Sequence, residues 1–413
     1  MEYKRVERCR VCGGNNLLGY LNLGKLPLAN GLASTNAPCK TYPLEVLFCK
    51  QCSLSQLSVV VDPKVLYSNY PYHSSVSSTF RKHCRDLAKK LKELVGPKPS
   101  MVDVASNDGA MLREFKAEGF KVFGVEPSTN LAYLANEEGL PTLRGFWSPG
   151  IASLLEPADV ITATNVLAHV DNLKEFLLTV RGTLKPNGIF VVEVPYLANL
   201  INRTQFDTVY HEHLSYFLLT PLVRLFKSYG LPIFHVEEHD LHGGSLRLYA
   251  SKDGRAVDKS VATLLRWEEL HGFTEIGAYK KFADQVKRIK GDLMILLERY
   301  KNLGLKVVAF GASAKGSTLM NYCGVTKEHV KVVVDETPAK QGLLTPGNHI
   351  PIVPFDALYR EKPAYVLLLV WNFEQEIRQK LRATGIFDET RGHIIVPVPT
   401  TQPAGQFGSV EVR

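Results

Sequence analysis

From about Ser100 the chain alternates short apolar runs with amphipathic stretches, an order that predicts parallel strands wrapped by helices. "SMVDVA" reads as a buried strand, "GAMLREFKAEG" as a helix, "KVFGVEP" as the next strand and "STNLAYLANEEG" as a helix opened by a Ser/Thr cap. "ADVITATNV" and "GIFVVEVP" extend the series around the helical "NLKEFLLTVRGTL", and "PIFHVEEHD" with "SLRLYAS" predicts an antiparallel hairpin that closes the sheet. A charged helical stretch from about Val257 to Leu303 leads into a second α/β unit. There "LKVVAFGASAKGSTLMNYCG" gives strand, small-residue turn and helix, followed by the strands "VKVVVDET" and "AYVLLLVW". The first 70 residues differ: they are rich in turn formers, and "GYLNLGKLPLANGL" has no long helical period. A polar, aromatic loop, "YSNYPYHSSVSSTF", then enters the basic amphipathic helix "RKHCRDLAKKLKELV". The expected units are 1–70, 71–256, a helical connection 257–303, 304–400 and a mobile tail 401–413.

A chain of 413 residues is too long for one core, which agrees with several units. No apolar run approaches a bilayer span, and "MEYKRVERCRVCGG" lacks the apolar region of a signal peptide, so a cytoplasmic protein is expected. The net charge of +8 is spread along the chain rather than gathered in a block, which points to anionic small molecules, such as a nucleotide or nucleotide-sugar, rather than nucleic acid. Seven cysteines, an odd number in such a chain, argue against a disulfide framework. Cys9 with Cys12 and Cys49 with Cys52 form two CxxC knuckles, each able to set two thiolates round one tetrahedral cation. Four thiolates leave no open coordination position, so the expected metal is a structural zinc. Cys39, Cys84 and Cys323 remain as packing residues.

The turn "VDVASNDGAML" is where a doubly wound sheet offers a helix start to a ligand. It lacks the G-x-G-x-x-G of a dinucleotide site and keeps only Gly109, while Asp103 and Glu126 stand at the ends of successive strands. A carboxylate at the second position suits ribose hydroxyls, so a nucleoside fits better than a pyrophosphate. "YHEHLSYF" concentrates proton-handling groups. Its histidines are two residues apart, which a helix would splay and which lacks the metalloprotease spacing. Acid–base work, a buried cluster and a metal pair remain open at this point.

In order, the paired knuckles, "YPYHSSVSS", "SNDG", "NVLAHV", "YHEH", "HGGSLR", "FGASAKGSTLMNYCG" and "DETPAKQG" resemble the S-adenosylmethionine-dependent sugar C-methyltransferases acting on nucleotide-linked 4-keto-6-deoxyhexoses. The resemblance covers nearly the whole chain to about residue 400. It implies an α/β fold, a class I methyltransferase doubly wound sheet flanked by a small zinc-binding lobe and a second Rossmann-like α/β domain. It also implies C-methylation, expected at carbon 3, of a sugar linked to dTDP or GDP, through a base-generated enolate. Methyl-donor binding falls on Asp103, Ala105, Asn107, Gly109, Glu126, Pro127 and Asn165. Ala105 stands where the family commonly has glycine. Chemistry falls on His213 as general base, Glu212 as the group that orients an imidazole or a sugar hydroxyl, and Tyr210 as donor to the enolate oxygen, helped by His169 and Tyr72. The substrate is expected against Tyr72, His73, Ser75, His242 and Arg247, with Gly311, Ser313, Lys315 and Lys340 forming a diphosphate cradle. Two rival readings are an NAD(P)-dependent nucleotide-sugar oxidoreductase or isomerase using the "FGASAKG" turn, and a zinc-ribbon nucleic-acid-binding adaptor.

Overall fold

The computed structural model describes residues 2–67, 74–76, 78–240, 243–385, 393–398 and 410–412. Of the residues singled out above, Tyr72, His73 and His242 lie outside them. The central sheet has seven strands, ordered Ile233–His239, Ser245–Ser251, Leu184–Pro195, Ala158–Thr164, Ser100–Val104, Lys121–Glu126 and Thr142–Arg144. The last five run parallel, and Ser245–Ser251 is antiparallel to both its neighbours, so the expected hairpin closes the sheet. Strand order reverses between Ser100–Val104 and Ala158–Thr164, the switch point at which such sheets take ligands beyond their C-terminal ends. The apolar runs explain the depth of these strands: Val160, Ile161, Phe190, Val192, Leu246 and Leu248 are all fully buried between helical layers.

The N-terminal "GYLNLGKLPLANGL" region is mostly strand. Leu17–Pro27 pairs antiparallel with Thr41–Cys49, with register shifts that break the simple alternation, and Thr41–Cys49 pairs with Ser55–Leu57. The fourth strand of that sheet, Ser215–Tyr216, comes from the chain immediately after "YHEH". The N-terminal sheet is therefore completed by a segment far downstream.

The charged connection is two helices, Lys259–Leu270 and Ile276–Asn302. Tyr279, Phe282, Val286, Ile289, Leu293 and Leu297, spaced three and four apart, give the longer one a continuous buried stripe. Tyr279 meets Tyr20 and Phe48 of the N-terminal sheet at ring centroids of 5.0 and 4.6 Å. This helix is thus packed scaffold and not a spacer. The C-terminal sheet orders Ile352–Val353, Val333–Val334, Val307–Phe310, Tyr365–Leu368 and His393–Val396 in parallel, and Glu411–Val412 adds an antiparallel edge. Of the tail expected to be mobile, Glu411 and Val412 are held in this ladder, and residues 401–409 and 413 lie outside the described residues.

Glu268 joins these parts. Fully buried, it accepts hydrogen bonds from the Leu219 N–H at 2.6 Å, the Thr220 N–H at 2.9 Å and hydroxyl at 2.6 Å, and the Tyr196 hydroxyl at 3.0 Å. It supplies, from another helix, the acceptor that the first turn of Leu219–Ser228 lacks. Glu268→Ala should strand those buried donors and cost about 3–5 kcal/mol. Urea denaturation measures it; a loss below about 1 kcal/mol would place the helix start in contact with water instead.

Candidate functional site

At the end of Ser100–Val104 the backbone enters a turn in which Ala105, Asn107 and Gly109 all take positive φ, at 55°, 53° and 81°. For the two non-glycine residues this is costly, and such conformations gather at ligand sites. The left-handed Ala105 accounts for glycine being the easier residue at that position. A Cβ on Gly109 would also come within 2.5 Å of Leu140, so the helix start sits tight against its neighbour. Asn165, at the end of Ala158–Thr164, has φ 58° and faces the same end of the sheet.

Two buried carboxylates flank this turn. Asp103 accepts a 2.6 Å bond from the Thr162 hydroxyl. Burial pushes its pKa up to about 7, the Thr162 bond opposing and the charges of Glu126 and Glu193 adding. Glu126 accepts the Asn107 N–H at one oxygen and the Ser128 N–H at the other, both at 2.8 Å, and burial raises its pKa despite those bonds. Each oxygen retains a second lone pair for a ligand hydroxyl. Pro127 stands half-buried between Glu126 and Ser128. The Ser128 side chain does not cap its helix as expected; its hydroxyl donates to the Tyr67 carbonyl at 3.0 Å.

The "YHEH" segment is a turn, and its side chains diverge. His211 is buried toward the N-terminal sheet, with Nε2 3.3 Å from both the Tyr42 and Pro43 carbonyls. Carbonyls only accept, so Nε2 carries the proton. Burial lowers this imidazole to about 4 and keeps it neutral. His213 turns the other way. Its Nδ1 lies 2.9 Å from the Thr208 carbonyl and must carry the proton, which leaves Nε2 with a lone pair, 3.0 Å from the Tyr210 hydroxyl. The His169 ring meets it edge-on at 4.9 Å between centroids, and burial lowers His169 to about 4. The metal-pair reading of the two histidines fails on this divergence. What remains is the half-buried His213 imidazole with Nε2 beside the Tyr210 phenol, and the buried neutral imidazole of His169 edge-on to it.

Two residues not singled out in the sequence complete the cluster. Asn30 donates from Nδ2 to Glu212 Oε1 at 2.7 Å, and Tyr67 places its hydroxyl 2.8 Å from His169 Nδ1 and 3.3 Å from the Glu212 carbonyl. Nothing in their local sequence marks them; only the N-terminal sheet's position against the turn brings them in.

Several expected substrate contacts are engaged elsewhere. Ser75 donates from backbone and hydroxyl to the Asp108 carboxylate, the latter at 2.6 Å. Arg247 is buried and bonded to Glu193 at 2.5 Å, with His83 2.7 Å from its other nitrogen, so it serves the interior of the sheet rather than a phosphate. Lys340 donates to the Ala312 carbonyl at 2.9 Å, the Ser313 hydroxyl caps its own helix through the Gly316 N–H at 3.0 Å, and Lys315 places Nζ over the Trp371 ring. A Cβ on Gly311 would strike Val370 at 2.6 Å. That glycine allows close packing against Val370, and Ser313 and Lys340 bond to backbone groups of the same unit. Asp335, at the place where a dinucleotide fold keeps its ribose acid, accepts the Ala312 and Thr337 N–H groups at 2.8 and 2.9 Å, with Lys340 Nζ at 3.5 Å.

The sulfurs of Cys9, Cys12, Cys49 and Cys52 all lie within 4.8 Å of one another, with Cys9–Cys52 at 3.4 Å and Cys12–Cys49 at 3.6 Å. Zinc–thiolate bonds of about 2.3 Å give a tetrahedron with edges of about 3.8 Å, so the four thiols fit that ion.

Three family profiles match in chain order: a proposed zinc binding domain over residues 9–67, a methyltransferase domain over 78–236 and a C-methyltransferase C-terminal domain over 240–399. The C-methyltransferase NovU of Streptomyces niveus is 36% identical over 405 residues, which covers 95% of this chain and 96% of that protein. Among solved structures, an S-adenosylmethionine-dependent methyltransferase of Clostridium acetobutylicum aligns with a TM-score of 0.35 and 13% identity over 42% of this chain and 92% of its own. The CcbJ methyltransferase of Streptomyces caelestis aligns at 0.32 and 16% over 41% and 89%. No helix among the described residues is long and apolar enough to cross a membrane.

Removing the metal should loosen the N-terminal sheet and, through it, the turn that it abuts. Chelation is expected to release one zinc per chain, measured by a colorimetric indicator, and to raise proteolysis in residues 9–52; a chain that stays fully resistant without zinc would overturn this.

Proposed function

Since this chain belongs to the S-adenosylmethionine-dependent C-methyltransferases, we propose that it methylates carbon 3 of a nucleoside-diphosphate 4-keto-6-deoxysugar through an enolate. The donor S-adenosylmethionine supplies an electrophilic methyl group on a cationic sulfur, and zinc holds the N-terminal lobe. The sugar assignment draws on the ordered motifs of the sequence and on chemistry: a ketone acidifies the adjacent C–H, and an unprotonated imidazole nitrogen is the group to remove that proton. The observation that carries the reading is the fixed tautomer of His213.

In this scheme His213 Nε2 takes the carbon-bound proton, and Tyr210 hands its hydroxyl from that nitrogen to the developing oxyanion. His169, kept neutral by burial, lines the site without adding a charge that would repel a sulfonium. Glu212, held by Asn30, orients a sugar hydroxyl. The turn at 105–109 with Asp103, Glu126, Pro127 and Asn165 receives the donor, Glu126 through ribose hydroxyls.

Two outcomes are expected. His213→Asn should lower methyl transfer at least about 100-fold, followed with labelled donor and a panel of 4-keto nucleotide sugars, with S-adenosylhomocysteine affinity unchanged; near-normal turnover would refute the base. The second concerns charge. Asp103 holds its proton up to about pH 7 in the ligand-free protein, and a nearby sulfonium favours the carboxylate, so a proton leaves on binding. Below that pH, affinity for S-adenosylmethionine should rise with pH by up to about tenfold per unit, then level off, while the neutral thioether of S-adenosylhomocysteine gives a flat profile. Calorimetry showing equal slopes for both ligands would remove Asp103 from the sulfonium's surroundings.

A further inference from the structure

Asp207 and Lys315 are opposite charges from different parts of the chain, gathered round one indole. Asp207 lies in the short turn Phe206–Thr208, is fully buried, and accepts a 2.6 Å bond from Trp371 Nε1 at Oδ2. Its Oδ1 is buried with no hydrogen-bond partner. Lys315, in the first turn of Ala314–Cys323, sets Nζ 4.2 Å from the centroid of the same ring, and that nitrogen is also buried without a hydrogen-bond partner. Gly243 packs beside the same ring, where a Cβ would come within 3.0 Å of it.

Each charge is expensive here without the other. Burial raises the Asp207 pKa and lowers that of Lys315, and each group opposes the other's shift. Removing one leaves the other as a buried charge without its counter-charge. The residue after Asp207 is Thr208, whose carbonyl receives the His213 Nδ1–H at 2.9 Å.

We infer that Lys315 is a positioning residue that acts through Asp207. Together with Trp371 the pair fixes the 206–208 turn, so that the Thr208 carbonyl keeps the His213 proton on Nδ1 and leaves Nε2 as the base. The inference rests on the reading of His213 given above. It takes Lys315 away from the diphosphate cradle suggested by the sequence.

The test compares wild type with Lys315→Met, Asp207→Asn and the double variant. Each single change should lower kcat by on the order of 100-fold through misplacement of the base, with KM for the nucleotide sugar nearly unchanged. The double variant, which carries no orphaned charge, should recover at least about tenfold over either single change. Isotope-labelled histidine NMR, with the His213 signal identified by its loss in His213→Asn, should show the Nδ1–H form in wild type and the double variant and a mixed tautomer in the single variants. A rise in KM at constant kcat in Lys315→Met would make Lys315 a substrate contact and overturn the inference. So would a double variant as impaired as the two single losses combined. If the single variants fail to bind S-adenosylhomocysteine, the double variant decides: recovered binding supports the pairing, and equal loss overturns it. The NMR signature needs no substrate, so it separates failure of this inference from failure of the sugar assignment.

Discussion

One carbonyl, that of Thr208, selects which nitrogen of His213 bears a proton, and the proposed chemistry depends on that selection. Imidazole is a base at only one nitrogen at a time, and it is useful only if the lone pair faces the reacting atom. A backbone carbonyl is well suited to this, because it accepts only and its place is set by the chain rather than by a side-chain rotamer. The arrangement is as stable as the turn that presents the carbonyl, and that turn is fastened from several directions. Trp371 grips it from the C-terminal unit, Ser215–Tyr216 anchors the following chain in the N-terminal sheet, and Phe217 bridges to Tyr196 beside the central sheet.

The N-terminal lobe therefore does more than accompany the central sheet. Its four thiolates close the knuckles at both ends of a hairpin, and the strand ending at Cys49 is the one whose carbonyls at Tyr42 and Pro43 receive His211. Asn30, on the loop after Leu17–Pro27, reaches the neighbouring Glu212. A metal held by these cysteines thus helps to set the side chains of the "YHEH" turn, by fixing a sheet against which the turn is pressed.

The fold was largely legible because periodicity records burial directly. The apolar runs of the central sheet, the closing hairpin and the turn with a single glycine all follow from that record, as do the paired knuckles. What escaped was partnership. Arg247 reads as a phosphate ligand because arginine in a glycine-flanked hairpin often is one, yet Glu193 lies across the ladder from it and claims the guanidinium. Lys340 and Ser75 are similar: a polar side chain beside a promising motif had a nearer acceptor in the chain. Asn30 and Tyr67 were missed for the converse reason, since a long-range contact leaves no trace in local spacing. The N-terminal strand Leu17–Pro27 was obscured by its register shifts, which interrupt the alternation that would announce it.

The C-terminal unit shows how tightly a small-residue turn can be tied by its own chain. Asp335 accepts the Ala312 N–H, Lys340 donates to the Ala312 carbonyl and Ser313 takes the Gly316 N–H, so the polar positions around this helix start are filled from within. Filling them stiffens the start of Ala314–Cys323, and a stiff helix start is what a buried lysine needs if it is to act as a fixed charge rather than a mobile one. The Trp371 ring meets that lysine on its face and Asp207 at its Nε1–H, so one helix start, one indole and the 206–208 turn hold one another in register across two sheets.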